Sequence, residues 1–115
     1  HYPLRRQRQM CIRDSVSTVA WEILKESSNF SLTITDDEIS MVVAMLAKAK
    51  LSNEKIIAGE CAVPGIIALI GLFKNKEYLD KLDLNQNSKI LLFGCEGLTD
   101  ATMYKKLLSD GLEKI

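Results

Sequence analysis

An eighteen-residue run, IIAGECAVPGIIALIGLF from residue 56 to residue 73, constrains this chain more than any other stretch because it contains a single charged side chain. That side chain is Glu60, set between a glycine and a cysteine. Burying a lone ionised carboxylate costs several kcal/mol even after the protein relaxes around it. Glu60 therefore needs a partner, a water-filled pocket or a functional role.

The run does not have the pattern of a membrane span. A spanning helix needs about 20 apolar residues without charge, whereas two glycines, a proline and Glu60 interrupt this run near its start. We predict a short extended piece over residues 56–59, a tight turn over 60–65 and a buried helix ending near Phe73. Pro64 suits the first turn of that helix, where its missing N–H costs little.

The first fifteen residues, HYPLRRQRQMCIRDS, differ in composition from the rest. All four arginines lie there, while residues 16–115 contain eleven lysines, no arginine and a net charge of −3 from 14 acids and 11 lysines. The segment could be a basic arm for nucleic acid or an anionic membrane. It could also be a targeting peptide, although it lacks an apolar core region. We favour a third interpretation, that residues 1–15 are non-native, resembling translated sequencing adapter, or disordered.

The three cysteines are Cys11, Cys61 and Cys95, an odd number at wide spacing with no CxxC pair. Without a secretory signal, this usage indicates free thiols in a reducing cytoplasm, so we expect a cytoplasmic protein. Residues 16–115 contain no histidine, and two distant cysteines make a poor ligand set. We therefore expect no metal site.

Strand patterns alternate with helix patterns along the rest of the chain. The apolar spacing predicts strands at 30–34 and 90–93 and helices at 16–27, 35–49, about 64–73, 77–82 and from Thr99 or Asp100 to Gly111. A capping box of Thr35 and Glu38 would begin the second helix, and Gly111 would close the last. The pattern predicts an α/β fold with a few short parallel strands and flanking helices, too few for a complete domain.

Two glycine-containing turns are the candidate functional positions, Gly59-Glu60-Cys61-Ala62 and Gly94-Cys95-Glu96-Gly97. Each follows a predicted strand and precedes a helix, which is where ligands bind in open α/β sheets. Purely structural turns are the alternative interpretation. Cys61 has the setting of a small buried hydrophobe, so Cys95 is the better candidate for contacting a ligand. Without a histidine as base, we do not expect a cysteine hydrolase, and no lysine has an active-site setting.

Three stretches in register resemble the C-terminal part of diaminopropionate ammonia-lyase. This family of pyridoxal-phosphate enzymes has fold type II, shared with tryptophan synthase β, threonine dehydratase and serine racemase. The family shows a TVAWEIL-like helix start, a G-E-S-G-A-[PV]-G turn and an N-T-E-G-D-T-D turn. The helix start is matched here by residues 18–24, and the first turn by Gly59, Glu60, Pro64 and Gly65. The second turn is matched by Glu96, Gly97, Thr99 and Asp100. The departures are Cys61, Ala62 and Val63 in the first turn and Gly94, Cys95 and Leu98 in the second.

The resemblance implies that residues 16–115 are a C-terminal fragment of a fold type II domain that binds pyridoxal 5'-phosphate (PLP). Cys95 would take the position that faces the pyridine nitrogen, with Glu60 and Gly94 near the ring. A thiol forms only weak hydrogen bonds, so the pyridine nitrogen of the cofactor would stay largely unprotonated. The lysine that binds the cofactor and the phosphate-binding loop belong to the family's N-terminal part. The fragment would therefore contain no catalytic residue and be inactive alone.

The implied reaction is α,β-elimination of 2,3-diaminopropionate to pyruvate and ammonia. A small amino acid would be the substrate, the complete enzyme would be a homodimer, and neither nucleic acid nor membrane would be a partner. A threonine or serine dehydratase is an alternative, since it shares the fold and the cofactor. A non-catalytic α/β binding module, with the basic arm on nucleic acid, is an alternative of another class.

Overall fold

The computed structural model describes residues 17–115, so the prediction for residues 1–15 lies outside the described part. The described residues divide into two compact units, the first ending at Leu32 and the second spanning residues 33–115. Within the first unit, helix α1 spans Thr18–Ser27. It begins where the Ser17 side chain accepts a hydrogen bond from the Ala20 N–H at 3.3 Å, a normal N-cap arrangement. The predicted helix at this position is confirmed.

Helices dominate the second unit. After a short 3₁₀ helix at Asp36–Glu38 come α2 (Ile39–Ala47), a second 3₁₀ helix (Glu60–Ala62), α3 (Pro64–Phe73), α4 (Lys76–Lys81) and α5 (Ala101–Leu112). The predicted helices at these positions are confirmed in type, including Pro64 in the first turn of α3. None of the helices in residues 17–115 is both long enough and apolar enough to cross a membrane.

The predicted α/β fold is wrong. No residue between 17 and 115 lies in a β-strand, so the few short parallel strands with flanking helices, and with them the expected piece of a fold type II sheet, are not observed. Residues 90–93 make no backbone–backbone hydrogen bond with any other residue between 17 and 115, and Leu91 and Phe93 are 77% and 83% exposed. An apolar run becomes a strand only when a neighbouring strand supplies a hydrogen-bonding partner. Periodicity cannot show whether that partner exists.

The core lies between α2 and α5 and continues onto the start of α3. Val42, Val43 and Val63 have no exposed surface. Gly111 lies inside α5 and is buried, so the prediction that it closes the last helix is wrong. A Cβ atom at this position would overlap the Ser40 carbonyl oxygen and lie 2.8 Å from the Ala44 Cβ. Glycine is therefore present because the two helix backbones approach each other closely.

Side-chain hydrogen bonds cap some of the helices and not others. Asp100 caps α5 by accepting a hydrogen bond from the Met103 N–H at 3.0 Å, as predicted. The predicted capping box at Thr35 does not form, since no side chain caps the Asp36–Glu38 helix. At the end of α2, Ala49 adopts a φ of 53°, and the Lys50 N–H donates to the Met45 carbonyl at 2.8 Å. This is a Schellman motif with alanine where glycine is favoured.

Candidate functional site

The two glycine-containing turns, which we call the first turn (residues 59–62) and the second turn (residues 94–97), lie against each other. The Gly59 N–H donates a hydrogen bond to the Glu96 carbonyl oxygen at 3.0 Å. The Cys61 N–H donates to the Glu96 Oε2 at 2.8 Å. The turns are thus joined across 35 residues of sequence, without the sheet that was expected to bring them together.

Local sequence shapes the first turn. Gly59 is extended, and the 3₁₀ helix Glu60–Ala62 follows it, with the Ala62 N–H donating to the Gly59 carbonyl at 3.1 Å. Pro64 then begins α3. The first N–H groups of any helical segment have no partner within the segment. The Cys61 N–H is one of these groups, and the Glu96 carboxylate accepts its hydrogen bond.

Glu96 joins the two turns, a role that the sequence analysis did not assign to it. Its Oε2 bonds the first turn, while its Oε1 accepts a hydrogen bond from the Thr99 hydroxyl at 2.9 Å. Both carboxylate oxygens are therefore engaged, and hydrogen bonds to a charged acceptor are stronger than neutral ones. An acid between two glycines was visible in the sequence. Its partner was not, because nothing local links residue 96 to residue 61.

Gly59 accommodates the same contact. A Cβ atom at this position would lie 2.7 Å from both Cγ and Cδ of Glu96. The carboxylate side chain therefore packs directly on the glycine backbone. At Gly94 a Cβ would lie 3.7 Å from the Ala62 Cβ, an ordinary contact distance. Gly94 thus lies beside the first turn, but packing alone does not require glycine there.

Cys95 is a free, exposed thiol in the second turn. Its Sγ lies 3.9 Å from the Cys61 carbonyl oxygen, at the outer limit of a weak S–H···O hydrogen bond. The thiol is therefore available to a ligand that approaches the two turns from solvent. The expectation of a free thiol holds for Cys95.

Glu60 is half-buried, and its Oε1 atom is buried. It is the first residue of the 3₁₀ helix Glu60–Ala62, and a carboxylate is favoured at the N-terminal end of a helical segment. The charge in the apolar run therefore lies at the edge of the core, in the turn that adjoins Cys95.

The structure thus brings together Glu60, Gly94 and Cys95, the three positions singled out in the sequence, and adds Glu96 to them. Their functional roles stay predictions. Within residues 17–115, no group of three or more acidic, cysteine or histidine side chains is arranged to hold a metal ion.

Comparison with known proteins finds a distant relationship to a lyase. The diaminopropionate ammonia-lyases of Escherichia coli strain K12, strain O6:H1 and strain O157:H7 are each 24% identical to this chain over 96 residues. The match covers 81% of this chain and 24% of each relative. The chain therefore spans about a quarter of the length of the curated relatives it matches.

No protein-family profile matches the chain, and no solved structure gives a significant match. At 24% identity the relationship to diaminopropionate ammonia-lyase is distant. It supports the resemblance drawn from the three sequence motifs. It does not assign a reaction to this chain.

Proposed function

We propose that residues 17–115 form part of a PLP-dependent ammonia-lyase that catalyses α,β-elimination of 2,3-diaminopropionate to pyruvate and ammonia. The observation that carries this proposal is the pairing of the two turns through Glu96. This pairing supports the proposal because the turn that contains Glu60 lies against the turn that contains Gly94 and Cys95, in a region distantly related to diaminopropionate ammonia-lyase.

The donor groups of the paired turns suit one edge of the cofactor. Cys95 offers an exposed thiol beside Gly94, whose lack of a side chain leaves room for a flat ring. When bound, PLP supplies the electron sink for the elimination. Cys95 would lie against the ring nitrogen without protonating it, because a thiol is a weak hydrogen-bonding group. Glu60 would contribute negative charge at the edge of the same site.

The remaining parts of the machinery would come from elsewhere in a longer enzyme. None of the lysines in residues 17–115 lies in either turn, and a covalently bound cofactor needs a lysine in a sheltered setting. We propose that this region alone is inactive, that the complete enzyme is a cytoplasmic homodimer, and that its partner is a small amino-acid substrate.

A chimera tests the proposal. Residues 17–115 would replace the 96 matching residues of the E. coli K12 enzyme, with the native enzyme as the control. We expect the chimera to bind PLP, detected by its visible absorbance, and to release ammonia and pyruvate from diaminopropionate. Faster release from threonine or serine would instead support a dehydratase. A folded chimera that binds no PLP would refute the proposal.

Two substitutions in the chimera test the site itself. Cys95→Ala should alter the PLP absorbance and the rate more than Glu54→Ala, an exposed residue outside both turns. Equal and negligible effects of the two substitutions would remove Cys95 from the cofactor site.

A further inference from the structure

Glu96 joins two segments that are distant in sequence. Its carbonyl oxygen and Oε2 both accept hydrogen bonds from the first turn, and its Oε1 accepts one from Thr99. The carboxylate bond is also part-buried, which limits competition from water. These bonds leave the Glu96 side chain little freedom to move.

The position of Cys95 depends on these bonds. Cys95 directly precedes Glu96, and its Sγ lies 3.9 Å from the carbonyl oxygen of Cys61. The N–H of the same Cys61 is the group that the Glu96 carboxylate holds at 2.8 Å. If the carboxylate released Cys61, both the thiol and the carbonyl that faces it would be free to separate.

Gly59 provides an independent sign that this arrangement is built into the turn. The Glu96 side chain occupies the space that a Cβ at position 59 would need. The first turn therefore lacks a side chain at the point where the carboxylate crosses it. The close approach of the Glu96 carboxylate thus coincides with the one residue type that has no side chain, Gly59.

We propose that Glu96 is a positioning residue. Its carboxylate accepts hydrogen bonds from the Cys61 N–H and the Thr99 hydroxyl, and we call this pair of bonds the clasp. The clasp sets the location and exposure of the Cys95 thiol. In the longer lyase this clasp would fix how Cys95 faces the cofactor, and that extension alone rests on the proposed function. The clasp itself is a property of the chain described here.

The test compares two substitutions of Glu96 with a matched surface glutamate in the full 115-residue chain. Glu96→Ala removes both side-chain bonds. Glu96→Gln retains an oxygen for the Cys61 N–H and an amide that can donate to Thr99, so it should partly rescue the clasp. Glu113→Ala is the control, because Glu113 is exposed and forms no side-chain hydrogen bond within residues 17–115.

Two measurements report on the clasp without PLP. Amide hydrogen exchange at Cys61 should speed up about tenfold in Glu96→Ala, equivalent to about 1.4 kcal/mol and close to the lower end for a bond to a charged acceptor. Alkylation of Cys95 by N-ethylmaleimide, located by mass spectrometry, should speed up about threefold or more as the thiol becomes freer. Glu113→Ala should stay within about twofold of the parent, and Glu96→Gln should fall between the parent and Glu96→Ala, because its amide oxygen is a neutral and weaker acceptor.

Unchanged rates in Glu96→Ala would overturn the proposal, as would a Glu96→Gln protein that behaves like Glu96→Ala. If circular dichroism shows that Glu96→Ala has lost its helices, Thr99→Val is measured in its place. This substitution removes only the hydrogen bond to one Glu96 carboxylate oxygen. Faster Cys95 alkylation with intact helices supports the clasp, and an unchanged rate refutes it. Since no cofactor is involved, these results are independent of the chimera experiment.

Discussion

Replacing Gly111 by alanine tests the helix crossing that forms the core. In α5, Gly111 lies directly on α2, and an added methyl group would overlap the Ser40 carbonyl oxygen and sit 2.8 Å from the Ala44 Cβ. The obstructing atoms at Ser40 belong to the backbone of α2. They cannot move aside by changing a rotamer, so the two helices themselves would have to separate.

Two opposing terms set the magnitude. Glycine in the interior of a helix costs about 1 kcal/mol relative to alanine, which favours the substitution. Forcing an extra methyl group into a packed core costs about 1 to 3 kcal/mol, and the backbone overlap places this site at the upper end. The net expectation is a loss of about 2 kcal/mol in the free energy of unfolding.

Gly71 provides the matched control. It lies within α3, and no atom would come within 4 Å of a Cβ added there. Gly71→Ala should therefore gain about 1 kcal/mol through helix propensity alone. Urea unfolding followed by circular dichroism would measure both variants. A Gly111→Ala protein as stable as the parent, alongside a stabilised Gly71→Ala protein, would refute the close helix crossing.

Four further substitutions test other parts of the structure. Ala49→Gly should raise the free energy of unfolding, measured by urea, by up to about 1 kcal/mol, because Ala49 has a left-handed φ of 53° that glycine adopts without strain. Asp83→Gly, at a φ of 54°, should raise it by less, since aspartate adopts the left-handed region more readily than alanine does. Lys114→Met should lower the free energy of unfolding by about 1 kcal/mol, because the Lys114 Nζ donates a hydrogen bond to the Ser40 Oγ at 2.8 Å. An unchanged thermal midpoint would show that this bond contributes nothing to stability. Gly59→Ala should destabilise, and less so in a Glu96→Ala background; additive effects in this double-mutant cycle would contradict the close contact between the two residues.

Much of the helical part could be predicted because it depends on neighbours in sequence. Pro64 begins α3 and Asp100 caps α5 through contacts within three residues. The candidate turns were recognised in the same way, from glycines beside apolar runs. The Ala49 motif shows the limit of this approach, since a left-handed alanine has no sequence signal and is held by the hydrogen bonds around it.

The amino-acid sequence by itself determined where the helices form and which two turns hold the chemically interesting side chains, because hydrogen bonds and apolar periodicity within a few residues decide those features. Only the tertiary structure decided that residues 90–93 do not pair as a strand, that Gly111 serves a helix crossing and that Glu96 joins the turns. Each of these depends on a partner that is distant in sequence or missing. A local pattern cannot specify which distant atoms will meet.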